Sequence, residues 1–254
     1  MIRIGLSMLF CLSAITGHSQ QPYLEIVQGH KMASKDFLLD DVGTIRWEGT
    51  EYRKDTTIVG SVSWVQDGES KWQLQRKQGQ MTYTETFTGN TGWMVSHSEN
   101  FQTVSNFVYE RAIPFKRMGQ WKSFLSHAEA YQYELECLGT KRVGPVNLIE
   151  FRLMGKQHDG CMLYLNPETL LLDHIRDQMV FQGKQQSVEI YYSDYREVEG
   201  ALLPFRREII QQGESLAIYQ FDSVELNPDL PPTIWQKPAD PAQIDRDPAD
   251  EIRR

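Results

Sequence analysis

The sequence lacks a second long apolar run, a surplus of positive charge, more than a few cysteines, and any of the short motifs that carry catalysis. Each absence narrows the reading. A bilayer span needs ~20 consecutive apolar residues. The one sustained apolar stretch, residues 4–15, ends at Thr16-Gly17-His18, and nothing after it is long enough, so the mature chain is expected to be soluble. With 26 basic against 34 acidic residues the net charge is -8, the wrong sign for nucleic acid or for an electrostatic hold on anionic lipid. There is no glycine-rich phosphate loop, no His-Glu-x-x-His, no Gly-x-Ser-x-Gly and no Cys-x-x-Cys. His30, His97, His127, His158 and His174 are scattered singly, so neither a metal nor a cofactor is expected. Asp173-His174 has the composition of half a catalytic triad. Neighbours on a strand point to opposite faces, however, so the two are not expected to support each other. An enzyme is therefore not the expectation.

What is present begins at the N-terminus. Arg3, the apolar run, and then Gly17 and Ser19 at the positions where signal peptidase needs small side chains read as a cleaved export signal over residues 1–19. Cys11 follows Phe10, which is too large for a lipoprotein processing site, so it reads as part of the apolar run. Cys137 and Cys161 remain in the mature chain. They fall on expected strands that are not neighbours, too far apart for a bridge without backbone movement, and are read as free thiols.

From residue 45 onward the pattern is mostly that of strands. Met81, Tyr83, Glu85 and Phe87 alternate with four threonines; Ile149, Phe151 and Leu153 alternate with Glu150, Arg152 and Met154. Further strands are expected at 45–48, 58–66, 71–76, 93–95, 133–138, 161–165, 170–179, 188–192, 203–210 and 216–226. Turn signals such as Gln66-Asp67-Gly68, Glu199-Gly200 and Gln212-Gly213 separate them, which reads as an antiparallel meander. Two places depart from it. Residues 22–32 read as a helix with Tyr23, Ile26, Val27 and His30 on one face. Residues 98–126 carry Phe101, Val104, Val108 and Ala112 at helical spacing up to Pro114, with a further short turn at 121–125. Residues 20–238 read as one domain. Residues 239–254, rich in Pro and Asp and free of aromatics, read as a flexible tail.

Several segments in order carry a family resemblance. Gly89-Asn90-Thr91-Gly92-Trp93, the hairpin from Leu138 to Gly144, Leu163-Tyr164-Leu165-Asn166-Pro167-Glu168-Thr169-Leu170-Leu171, and above all Asp194-Tyr195-Arg196-Glu197-Val198-Glu199-Gly200 leading to Pro204 resemble the outer-membrane lipoprotein-sorting proteins of the LolA-like group. The close, Asn227 and then Ile234-Trp235-Gln236-Lys237-Pro238, is similar too, with tryptophan where phenylalanine is usual. The resemblance implies a mainly β fold with a few helices, a strongly curved antiparallel half-barrel lidded by helices around an apolar cavity. It implies a periplasmic, monomeric carrier of lipid or lipoprotein acyl chains that meets inner- or outer-membrane envelope proteins. The alternative within the same fold is an envelope sensor or protein-interaction module. On that footing Phe101, Val104 and Val108 are the candidate lid residues facing the cavity. Trp72, Leu74, Tyr83 and Trp93 are candidate cavity walls, though residues in such places are more often core or turn packing than ligand contacts.

Overall fold

The computed structural model describes residues 21–239 apart from 56, 69, 108–117, 119–121, 156–159 and 182–183. The expected export signal and almost all of the expected tail lie outside the described residues. The chain opens with α1 (Gln21–Ser34) and a 3-10 helix (Asp36–Leu39). Six strands follow: β1 (Thr44–Tyr52), β2 (Ile58–Asp67), β3 (Lys71–Gln78), β4 (Met81–Thr88), β5 (Gly92–His97) and β6 (Gln102–Phe107). After the short helix α2 (Phe124–His127) come β7 (Glu134–Val143), β8 (Val146–Met154), β9 (Cys161–Leu165), β10 (Leu172–Phe181), β11 (Lys184–Val198), β12 (Ala201–Gln211) and β13 (Glu214–Leu226), and a closing 3-10 helix, Pro232–Trp235.

All strands join one unclosed antiparallel sheet of 13, ordered β6-β5-β4-β3-β2-β1-β13-β12-β11-β10-β9-β8-β7. The result is a curved half-barrel made of two meandering arms joined along a seam where β1 pairs with β13. β6 and β7 are consecutive among the strands yet lie at opposite edges, so the chain between them crosses from rim to rim. Met118, Phe124 and Leu125, in that crossing, are buried in the same core as the sheet. The hairpin signals hold for a physical reason. Glu199-Gly200 and Gln212-Gly213 both take positive φ at both residues, the conformation whose twist matches two-residue hairpin loops.

The helix expected from residue 98 is a correction. Residues 102–107 are a strand paired residue for residue with β5, from Gly92 opposite Phe107 to His97 opposite Gln102. Thr103 and Val104 are stiff, β-branched residues that suit a pleated surface, and an open rim offered backbone partners. The spacing of Phe101 and Val104 is therefore not a helical face. Val108, Ala112 and Pro114 lie outside the described residues. The turn expected at 121–125 forms slightly later, as α2, because Ser123 caps it: its hydroxyl accepts the Leu125 N–H at 3.2 Å. Cys137 and Cys161 form no disulfide, lying on β7 and β9 with β8 between them.

Candidate functional site

Alternation along each strand, carried from neighbour to neighbour by the register, defines an inner face. On one arm it runs Trp64 to Leu74 to Glu85, and Trp72 to Phe87 to Gly92 to Phe107. The rings of this arm stack across the strands: Trp64 on Trp72 at 5.9 Å, Trp72 on Phe87 at 6.2 Å, Phe87 on Phe107 at 6.4 Å. Gly92 is required where it stands, because a Cβ there would enter the Phe107 ring. On the other arm Leu135, Phe151, Leu153, Cys161, Leu163, Ile175, Val188 and Ile190 continue the apolar surface. At the seam Trp47 meets Phe205 edge-on at 5.7 Å and Phe221 at 5.3 Å. Large rings each bury ~150–250 Å². At ~25 cal/mol/Å² that is several kcal/mol per ring, so the inner face is also what holds the fold.

Two charged features interrupt this surface. Near one end, Arg76 reaches Glu85 at 3.1 Å, and Gln78 donates to Glu51 at 3.5 Å. Burial, opposed by Arg76, holds the Glu51 carboxyl above the usual carboxylate range. At the seam Arg207 is fully buried on β12, with its guanidinium over Trp47 at 4.1 Å and Phe221 at 5.0 Å. Its Nη1 donates to the Met118 carbonyl at 2.6 Å. Burial lowers its pKa to about 10, which leaves it charged at neutral pH.

The helices close over the second arm around a polar knot. His30 on α1 donates from Nδ1 to the Leu170 carbonyl at 2.6 Å, since a carbonyl only accepts. Its Nε2 is then the acceptor for the Ser123 hydroxyl, 2.5 Å away. Asp36 takes the Ser123 N–H at 2.8 Å, and His127 reaches Asp40 at 3.0 Å. Burial keeps the His30 pKa below its ordinary value. His30 and His127, expected to stand apart, thus converge on one serine. Beside this knot is a cavity of about 50 Å³ lined by His30, Ser123, Phe124, Leu172, Ile175 and Tyr192, among others.

The residues singled out from sequence divide by face. Trp72 and Leu74 lie on the inner face, fully covered, and Tyr83 shares that face half-buried on β4, opposite Arg76. Trp93 is one residue out of phase, on the outer face, where Gln73, Thr86, Val95 and the closing 3-10 helix surround it; Gln73 donates to the Ile234 carbonyl at 2.9 Å. Val104 pairs with Val95 and shares that outer face, and Phe101, just before β6, is 49% exposed. Neither sits on a lid helix. Val108 lies outside the described residues. Sequence reasoning missed Trp47, Arg207 and the His30–Ser123 contact. The signal for Arg207 was present, since Leu203, Phe205, Arg207 and Ile209 share one parity on β12.

The outer face of the second arm carries a different row. Tyr164, His174 and Tyr191 lie opposite one another on β9, β10 and β11, and His174 is sandwiched at 4.1 and 4.6 Å. The expectation that Asp173 and His174 point apart is corrected. The register shifts between Leu172 and His174, and the bulge turns Asp173 so that its Oδ2 accepts from His174 Nδ1 at 2.8 Å. The pair faces tyrosines, with no serine or cysteine in the row. Glu189 binds Arg176 at 2.6 Å and takes the Tyr191 hydroxyl at 2.9 Å. Burial and that bond push the Tyr191 pKa up to about 12. Among the described residues no group of three or more His, Cys, Asp or Glu could hold a metal ion, and no helix is long and apolar enough to cross a membrane.

With this geometry in hand, likeness to solved structures becomes informative. A LolA superfamily protein from Nitrosomonas europaea superposes with a TM-score of 0.52 at 11% identity, over 83% of this chain and 97% of that one. The fold is LolA-like. An outer membrane lipoprotein-sorting domain from Vibrio parahaemolyticus (TM-score 0.44, 10% identity, 84% and 96% coverage) and a DUF1329 family protein from Desulfovibrio piger (0.44, 10%, 83% and 97%) also align. Only the first is similar enough to bear on the LolA-like assignment. No family model matches the sequence, and no curated protein matches it. This likeness concerns the architecture alone.

Proposed function

We propose that this protein is a periplasmic binding and carrier protein that shelters the acyl chains of lipids or lipoproteins on the inner face of its half-barrel. The observation that carries the reading is the aromatic and aliphatic surface from Phe107 across Trp72, Trp64 and Trp47 to Phe151, with Met118, Phe124 and Leu125 packed into the same core. A carrier must cover chains that each gain ~0.8 kcal/mol per buried methylene, while keeping its own exterior wet. The acidic net charge of -8 serves the second need. The cavity of about 50 Å³ beside the helices is far smaller than an acyl chain, so on this reading a chain enters there when the α1–α2 layer lifts.

The test is native mass spectrometry of protein purified from envelope extracts without detergent, followed by organic extraction. Bound acyl species, or uptake of a fluorescent fatty acid with one-to-one stoichiometry, is the expected result; neither bound lipid nor uptake sinks the reading. The tightness of the inner packing favours a second reading, an envelope sensor that binds a protein partner through the same fold. Co-purification of one envelope protein in stoichiometric amount, with no lipid in either experiment, would establish it instead.

A further inference from the structure

Arg76 and Arg207 both rise from the inner face, and they are partnered differently. Arg76 has a carboxylate, Glu85, at 3.1 Å. Arg207 has none within ion-pair distance among the described residues, although it is 0% exposed. Its single hydrogen bond goes from Nη1 to a neutral carbonyl, that of Met118. Its Nε and Nη2, together with the indole Nε1 of Trp47, whose ring lies beneath the guanidinium, make no hydrogen bond among the described residues. Buried polar groups are almost always satisfied, and a buried charge is almost always paired. The rings of Trp47 and Phe221 ease the charge through their faces, but they leave the in-plane N–H donors unmet.

The unmet pair is a specific one. Nε and Nη2 form the side of the guanidinium whose donors run parallel, and this protein uses that side elsewhere to grip carboxylates. Arg196 holds Asp194 through Nε at 3.1 Å and Nη2 at 2.6 Å. Arg176 holds Glu189 through Nε at 2.9 Å and Nη2 at 2.6 Å. At Arg207 the same fork is empty, and it stands among Trp47, Phe205, Tyr219 and Phe221. Tyr192, its cross-strand neighbour on β11, is also a wall of the apolar cavity under α2.

We propose that Arg207 and Trp47 form the anion-receiving end of the ligand site, and that the cargo is an anionic amphiphile. Its carboxylate or phosphate takes the Nε–Nη2 fork and the indole N–H, while its chain lies along the inner face toward Tyr192 and Ile175. This deepens the carrier reading and rests on it. The Met118 carbonyl occupies the remaining end of the guanidinium, so Arg207 also ties the crossing chain to the floor where the headgroup arrives.

The test titrates the full chain with dodecanoate, dodecyl phosphate and dodecanol, which differ only at the headgroup, and with inorganic phosphate alone, by calorimetry. Both anions are expected to bind about tenfold or more tightly than the alcohol, as charge-assisted bidentate pairs do. Preference between the two anions identifies carboxylate or phosphate as the natural headgroup. Arg207→Gln is expected to erase the preference for the anions over dodecanol, and Trp47→Phe, which keeps the ring, to lose part of it. Should Arg207→Gln fail to fold, the wild-type headgroup comparison still decides. Equal binding of the alcohol and the anions overturns the anion site and leaves the carrier reading standing. Binding of none of the chained ligands overturns both. Inorganic phosphate binding as tightly as dodecyl phosphate overturns the assignment of an amphiphile.

Discussion

On the inner face of one arm, Trp64, Trp72, Phe87 and Phe107 stack ring upon ring across β2, β3, β4 and, over Gly92 of β5, β6. On the outer face of the other arm, Tyr164, His174 and Tyr191 also stack, and each is tied at its edge: to Glu150 at 2.7 Å, Asp173 at 2.8 Å and Glu189 at 2.9 Å. Area and shape dominate the first row, while directional hydrogen bonds and charge dominate the second. Contacts by area are non-directional, so the inner row tolerates changes in ring geometry. Hydrogen-bonded rings cannot shift without losing partners, so the outer row is the more tightly fixed of the two.

The largest expected effect that probes this contrast comes from Trp72→Ala. Loss of a fully covered indole costs about 3–5 kcal/mol, read as a fall in the urea midpoint with unchanged slope, and acyl-chain uptake falls with it. His174→Ala on the outer face removes two stacking pairs and is expected to cost about 1–3 kcal/mol, with uptake by the folded protein unchanged. If His174→Ala abolished uptake while Trp72→Ala spared it, the division of roles between the faces would be wrong. The smallest effect is a pH dependence from the helix layer. The folded-state pKa of His30 is held below 6.5, chiefly by burial. The neutral form is therefore favoured by folding, the stabilisation is complete above 6.5, and it is lost as pH falls through the lowered folded value. Urea midpoints should decline with acidification below 6.5, and His30→Gln should flatten the decline; the same slope in both proteins would remove His30 from the account.

Strand positions were well read where alternation was strong: β4 and β9 begin and end where the sequence pattern places them, and β8 ends where it does. β6 was misread because Phe101 and Val104 are three apart, a spacing that fits a helix as well as a strand, and only the vacant edge of β5 decides between them. Among the candidate cavity residues, Trp72 and Leu74 lie on the inner face with the parity of a recognisable strand, and Trp93 lies on the outer face, because the turn before it hides which face the first residue of β5 takes. Arg207 was passed over because Arg206-Arg207-Glu208 looks like solvated charge along the chain. Only the strand's parity, with Leu203, Phe205 and Ile209, tells it from its neighbours. The knot of His30, Ser123, Asp36 and His127 joins residues distant in sequence, and no local pattern foretells it.

The seam between β1 and β13 has a consequence for how the molecule is made. Every other strand pairing joins neighbours in the chain through a short connection, so each arm can form from local hairpins in quick succession. The seam joins Ile45 to Leu226, contacts of the most non-local kind, and such contacts are slow to form because loop closure precedes any reward. A chain delivered N-terminus first has its Trp47, Trp64 and Trp72 available long before Phe205, Tyr219 and Phe221 arrive to cover the seam. Until the last strand emerges, the growing arm is a sticky sheet with an unpaired border. The protein that is read here as sheltering greasy cargo would itself need shelter while it folds.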